Sequence, residues 1–388
     1  MATPSIAFAG SLAQKPGRGG HTWVFLQYLL GFKRLGWDVL FVDSLEPEMC
    51  VDEAGARAPV ADAWNVRYLN DVMRRFGLGD SFALLVDGGS RTIGMSRSAL
   101  LERVRSSSAV INVMGYLRDE EILAAAARRV FLDVDPGFGQ MWQTLGLHDA
   151  FHGHDAFVTI GERIGQSSCA VPTCGLDWIT TRQPVVLDQW PAVFADPGAR
   201  PVTSVVSWRG AYGPVTYQGK EYGLRPREFR KFVGLPKRAG GCFELALDIH
   251  PDDERDIDLL RTNGWRLVPA QKATGDPWQY RQYIRNSAAE VMIAKNMYID
   301  TGSGWVSDRS ICYLATGRPV LAQDTGLAGL LPTGEGLLTF TTLDEATDAV
   351  RAVRREPARH QRAARRLAEE YFDSSTVLRA LAEKLCLH

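Results

Sequence analysis

Short apolar runs alternate with amphipathic stretches along most of the chain. The runs "SIAFAG" (5–10), "WDVLFVD" (37–43), "FALLVD" (82–87), "SAVINVMG" (108–115), "RVFLDVD" (129–135) and "AFVTIG" (156–161) are rich in branched and aromatic residues, as strands buried on both faces are. Between several of them apolar residues recur at helical spacing, as in "TWVFLQYLLGFKRLG" (22–36) and "DEEILAAAARR" (119–129). Alternation of this kind predicts right-handed βαβ units and a parallel sheet covered by helices.

The rhythm stops across "TRQPVVLDQWPAVFADPGARP" (181–201), whose four prolines and lack of helical periodicity mark a linker. It restarts with "VTSVVSW" (202–208), "FELALDIH" (243–250), a helix over 252–264, "WRLVPA" (265–270), a helix over 277–287 and "EVMIA" (290–294). The expected organisation is a Rossmann-like domain over 1–180, a second over 202–370, and a C-terminal helix (371–388) packing back on the first. A chain of 388 residues is long for one core and suits two. Their parallel sheets would face a central cleft at the carboxyl ends of the strands, where open α/β sheets bind ligands.

Charge narrows the choice of ligand. The formal net charge is -1 without a long block of one sign, which argues against nucleic acid and anionic membrane as partners. No basic segment precedes an apolar core at the N-terminus, and no run approaches the roughly 18 apolar residues of a membrane span. The expected location is cytoplasmic, with no integral membrane segment. Six cysteines without C-x-x-C spacing read as reduced thiols. Only eight of the 44 basic residues are lysine, a bias usual in GC-rich bacterial genomes.

Candidate chemistry lies in five segments. In "TGSGWVSDRSICYLATGRPVLAQDTG" (301–326), Ser303 and Gly304 stand where a helix over Trp305–Ala315 should begin. Its free N–H groups would bind an anion, with Ser307 and Arg309 adding donors. "SVVSWRG" (204–210) sets Arg209 at a strand end. "GRGGHTW" (17–23) puts Gly19, Gly20 and His21 at the first helix's N-terminus, where the dipole favours neutral imidazole. "DVDPGFGQMW" (133–142) offers Asp133 and Asp135, and "HDAFHGHD" (148–155) offers His154 and Asp155 as cleft contributors. The latter segment also has metal-ligand spacing, but no metal site is assigned to it.

The order strand, Trp-Arg-Gly, strand, helix, strand, helix, strand, glycine-led helix and "ATGRPV" (315–320) resembles the donor domain of GT-B glycosyltransferases. "GRGGHTWVFLQYLLGFKRLGWDVLFVD" (17–43) is similar to that family's opening Gly-rich loop, first helix and second strand. The resemblance implies transfer of a sugar from a nucleotide diphosphate donor to a small-molecule (possibly natural-product) or glycan acceptor, without metal or bound cofactor, by a monomer or homodimer. It implies donor binding by Gly19, Gly20, Arg209, Ser303, Gly304, Trp305, Ser307, Asp308 and Arg309. It also implies proton abstraction by His21, helped by Asp133 or Asp135. A sugar epimerase, a phosphorylase and a non-catalytic nucleotide-sugar binder are the alternatives. One departure stands out: where many relatives carry a ribose-binding glutamate, this chain has Cys312, and Asp308, one turn earlier, is the expected substitute.

Overall fold

The computed structural model describes residues 3–194, 198–210 and 212–387. Eight strands form the first sheet: β1 (Ser5–Gly10), β2 (Asp38–Leu45), β3 (Phe82–Val86), β4 (Arg91–Gly94), β5 (Val110–Val113), β6 (Arg129–Asp133), β7 (Ala156–Thr159) and β8 (Trp178–Thr180). Their order is β4-β3-β2-β1-β5-β6-β7-β8, parallel except for the β3–β4 pair. Past the expected linker, whose positions 195–197 lie outside the described residues, come β9 (Val202–Ser207), the hairpin β10 (Val215–Tyr217) and β11 (Lys220–Tyr222), β12 (Phe243–Asp248), β13 (Trp265–Pro269), β14 (Ala289–Met292), β15 (Val320–Gln323) and β16 (Leu337–Phe340). Six of these form a parallel sheet in the order β13-β12-β9-β14-β15-β16.

The apolar runs explain the register. Phe8 of β1 lies opposite Phe41 of β2 and Ile111 of β5, so the central strand is covered along both edges. The helix Gly19–Arg34 lays Phe25, Leu26, Leu29 and Phe32 against that sheet, all buried. Each such side chain contributes about 1.5–3 kcal/mol on burial.

Chain direction across each sheet reverses once, between β1 and β5 and between β9 and β14. Ligand crevices of doubly wound sheets open at such points, beyond the carboxyl ends of the strands. The chain passes between the domains at two places that are tied to each other: the Val185 N–H donates to Phe372 O at 2.7 Å and the Ser374 N–H to Val185 O at 2.9 Å. The helix Ser374–Lys384 then packs on the first domain, with Leu378 so close to Gly31 that a Cβ there would lie 2.4 Å from Leu378 Cδ1.

The glycine-led segment departs from expectation. Its helix begins at Asp308, not Trp305, and Ser307 is its cap, accepting from the Arg309 N–H at 3.3 Å. Gly302 (φ 59°) and Gly304 (φ 68°) adopt the left-handed region, so residues 301–307 turn back on themselves instead of extending the helix. No helix among the described residues is long and apolar enough to cross a membrane.

Candidate active site

The loop after β1 is the first wall of the cleft. Its Ala13 N–H donates to the Asp43 carboxylate at 2.6 Å, and Asn65 Nδ2 donates to Ala13 O at 2.9 Å. The loop delivers the chain into the helix Gly19–Arg34, whose start is pressed against the second domain. A Cβ on Gly19 would sit 2.2 Å from Asp276 O, which only glycine avoids. Trp23 Nε1 donates to Pro277 O across the same seam at 2.8 Å, and Arg18 pairs with Asp248 at 2.6 Å.

Facing this loop, Lys295 follows the carboxyl end of β14, next to the reversal point of the second sheet. Its ammonium is buried, lies 2.9 Å from Asp135 of the first domain and stands 4.8 Å from the Phe138 ring centroid. Burial lowers the Lys295 pKa, and Asp135 works against that by favouring the charged form. Tyr298 also donates to Asp135, and its ring stacks on Trp305 at 4.0 Å. Arg225 opens the helix Arg225–Lys231 among these groups. Its Nε is buried without a partner, and burial, followed by the charge of Arg309, lowers its pKa. The positive charge of Lys15 reaches both His21 and Lys295.

Two cavities open on this side of the molecule, and Lys15 lines the first of them. One, of about 560 Å³, lies between the domains and is lined by Lys15, Arg18, Gly20, His21, Gly210 and Thr274 among others. The other, of about 520 Å³, lies over the carboxyl edge of the first sheet, with Met114, Tyr116, Phe131, Trp142, His148 and Tyr212 in its wall. Gln14 lines both.

Residues 254–385 match a family profile described as glycosyl transferase-like. Solved structures agree over the whole chain. HepE from Anabaena in complex with UDP and glucose aligns at TM-score 0.57 and 12% identity, covering 99% of both chains. An alpha-glucosyltransferase in complex with UDP and a 13-mer DNA aligns at 0.57 and 10%, covering 99% of this chain and 100% of that one. A glycosyltransferase from Rickettsia africae aligns at 0.54 and 11%, covering 99% and 98%. No curated protein matches the sequence significantly. The chain has the GT-B fold of these structures, and its residues 254–385 match the glycosyl transferase-like family.

Within this fold, the expected donor residues divide. Gly19, Gly20 and His21 line the interdomain cavity. Arg209 does not: exposed, it makes a two-pronged bond to Asp253, with both contacts at 2.9 Å, and its neighbour Gly210 faces the cleft instead. Ser303 is buried and bonded back to Tyr298 O, while the Gly304 N–H is taken by Thr325 O. Trp305 is packed on Tyr298, and Ser307 is occupied as the helix cap. Arg309 is held by the buried Glu290 and by Val205 O. The side chains of Ser303, Ser307 and Arg309 are therefore engaged within the protein. Asp308 faces Gly20, Trp23, Tyr280 and Cys312 in a narrow crevice, where burial pushes its carboxyl up.

On the other side, Asp133 accepts from Gln140 at 2.7 Å, Thr159 at 2.9 Å and the Asp135 N–H at 3.1 Å. These bonds hold it at the carboxyl end of β6, and among the described residues neither it nor Asp135 forms a bond to His21. Asp155 pairs with Arg129 at 2.6 Å, before β7 and at the start of β6, so it sits on the amino edge away from the cleft. His154 is bonded to Phe151 O and Asn112. From the front of that loop, His148 and Ala150 line the aromatic cavity. Among the described residues no three His, Cys, Asp or Glu side chains converge to hold a metal ion. Sequence reasoning missed Lys295, Arg225 and Lys15. A lysine directly after a buried strand, in a chain with so few lysines, was the available signal.

His21 Nε2 lies 3.0 Å from Ser11 O and 3.1 Å from Ser11 Oγ, and burial, then Lys15, pull its pKa down to about 3. That leaves it a weak base at neutral pH. We expect His21→Gln, which keeps an N–H for the Ser11 carbonyl, to retain turnover within about tenfold; a general base would lose about 10²–10⁴. The depressed pKa also fixes a sign. The unfolded chain binds the extra proton, so stability falls as pH drops from about 6.5 towards 3. Urea unfolding at pH 4 and 7 should show a smaller acid loss in His21→Gln than in the parent.

Proposed function

We propose that the enzyme transfers a sugar from a UDP-linked donor to a hydroxyl on an acceptor with a flat apolar face, using its own cations in place of a metal ion. The observation that carries this reading is a pair of cavities that share Gln14, with Lys15 in the wall of the interdomain one and the charges of Lys15 and Arg225 both reaching the buried Lys295. The nucleotide occupies the interdomain cavity and its diphosphate lies at the cations, with the positive end of the helix Gly19–Arg34 beside it. The acceptor occupies the aromatic cavity, where Trp142 and Tyr212, in edge contact at 5.1 Å, offer ring faces to a sugar or an aromatic scaffold. Met49, among the chain's exposed large apolar residues, stands in the wall of that cavity, which suits an acceptor with an apolar portion better than a nucleic acid.

Transfer breaks the bond between the anomeric carbon and the phosphate oxygen and forms one to the acceptor oxygen. Negative charge then accumulates on the leaving diphosphate, and pre-placed cations in a poorly hydrated cleft stabilise that charge more than they stabilise the intact donor. The proton of the acceptor passes to the departing phosphate oxygen, which becomes basic as the bond breaks.

UDP is the expected nucleotide because HepE and the alpha-glucosyltransferase were both solved with it. At 100 times its Kd, UDP should stabilise the protein by about 2.7 kcal/mol in a thermal-shift series, with GDP, dTDP and ADP weaker. Turnover should be unchanged by EDTA. A preference for another nucleotide would overturn the donor assignment, and loss of activity in EDTA would return part of the diphosphate charge to a metal.

A further inference from the structure

On the amino edge of the second sheet, opposite the cleft, three arginines meet with no carboxylate paired to them among the described residues. Arg200 lies just before β9, Arg318 just before β15, and Arg285 ends the helix Pro277–Arg285. Parallel strands place the residues that precede them on one edge, and Lys295 belongs to the other. Arg318 is fully buried, and its Nη2 donates to Arg285 O at 2.8 Å. Its Nε and Nη1, together with Nη1 of Arg200, are buried without a hydrogen-bond partner. Among the described residues, no ion pair engages any of the three. Burial, then the charges of Arg200 and Arg285, pull the Arg318 guanidinium down to about 10.

A buried cation is ordinarily matched by a counter-charge, and guanidinium groups present paired N–H donors that fit a tetrahedral oxyanion. Arg200 also lines a cavity of about 290 Å³ that contains Arg354 and Pro357, the first residue of the helix Pro357–Tyr371, and, among the described residues, no acidic side chain. The unused donors, the uncompensated charge, the helix's positive end and the adjoining space all select the same chemistry.

We propose that Arg200 and Arg318 bind a phosphoryl oxyanion at a site separate from the cleft, and that the adjoining cavity takes the carbon skeleton of a phosphorylated metabolite. Inorganic phosphate would occupy the arginines alone, whereas a sugar phosphate would use both parts.

The test is a thermal-shift titration at fixed ionic strength with inorganic phosphate, glucose 6-phosphate and a chloride control. Phosphate should raise Tm saturably, glucose 6-phosphate should do so at lower concentration, and Arg318→Met should abolish both responses. Both should persist in Lys295→Met, where the cleft cation is removed, so the outcome does not depend on the donor assignment. Equal midpoints for the two ligands would overturn the part of the proposal that concerns the cavity. A response no larger than chloride's, one unaltered by Arg318→Met, or one lost in Lys295→Met would overturn the site itself. Should Arg318→Met fail to fold, Arg200→Gln replaces it, with at least a tenfold rise in the phosphate midpoint expected and an unchanged midpoint counting against the site.

Discussion

Lys295→Met is expected to lower kcat by about 10²- to 10³-fold, the loss seen when one pre-placed donor to a developing oxyanion is removed. The ammonium is buried and held 2.9 Å from Asp135, so little reorganisation is needed as charge develops. The substitution also strands Asp135, because removing one partner of a buried pair leaves an uncompensated charge and costs about 3–5 kcal/mol. Stability and catalysis can be separated by the double variant Lys295→Met/Asp135→Asn. Urea unfolding should show much of the lost stability restored, while kcat stays low. A folded Lys295→Met enzyme with near-parental kcat would remove Lys295 from the diphosphate site.

Arg225→Met should act in opposite directions on stability and binding. In the free protein Arg225 is a cost: its Nε is buried and unpartnered, and its charge lies near those of Arg309 and Lys295. Removing it should raise Tm. With a diphosphate present the same group makes a charge-assisted hydrogen bond, so affinity for UDP should weaken by about 1.5–3 kcal/mol, or roughly 10- to 150-fold. Calorimetry with UDP and a thermal melt without ligand read the two effects separately. A drop in Tm with unchanged affinity would make Arg225 an ordinary structural arginine. Trading stability for ligand affinity is the usual signature of a functional site.

The fold was largely legible because its signals are local. Each central strand is a short apolar run, and the proline-rich stretch after residue 180 interrupts the alternation. The β10–β11 hairpin escaped because Gln218 occupies the left-handed region (φ 49°) ahead of Gly219, and glutamine is not a residue that marks such turns. β8 is only three residues long. The site was less legible, since its cations come from three distant segments, 15, 225 and 295, and converge only when the sheets face each other. Within the glycine-led segment the composition suggested a donor row, but the turn buries Ser303, and Glu290 claims Arg309. At the end of β9 the difference is one residue: Gly210 faces the cleft and Arg209 turns away to Asp253.

The bonds between Val185 and the Phe372–Ser374 segment have a mechanical meaning. Because the two crossings between domains are fastened side by side, they act as one hinge line, and rigid-body opening reduces to rotation about it. The seam at Gly19, Trp23 and Arg18 must then part or slide as a unit whenever the nucleotide cavity admits or releases its occupant. Product release and cleft closure would share that single rotational coordinate, so a stiffer hinge would slow both together.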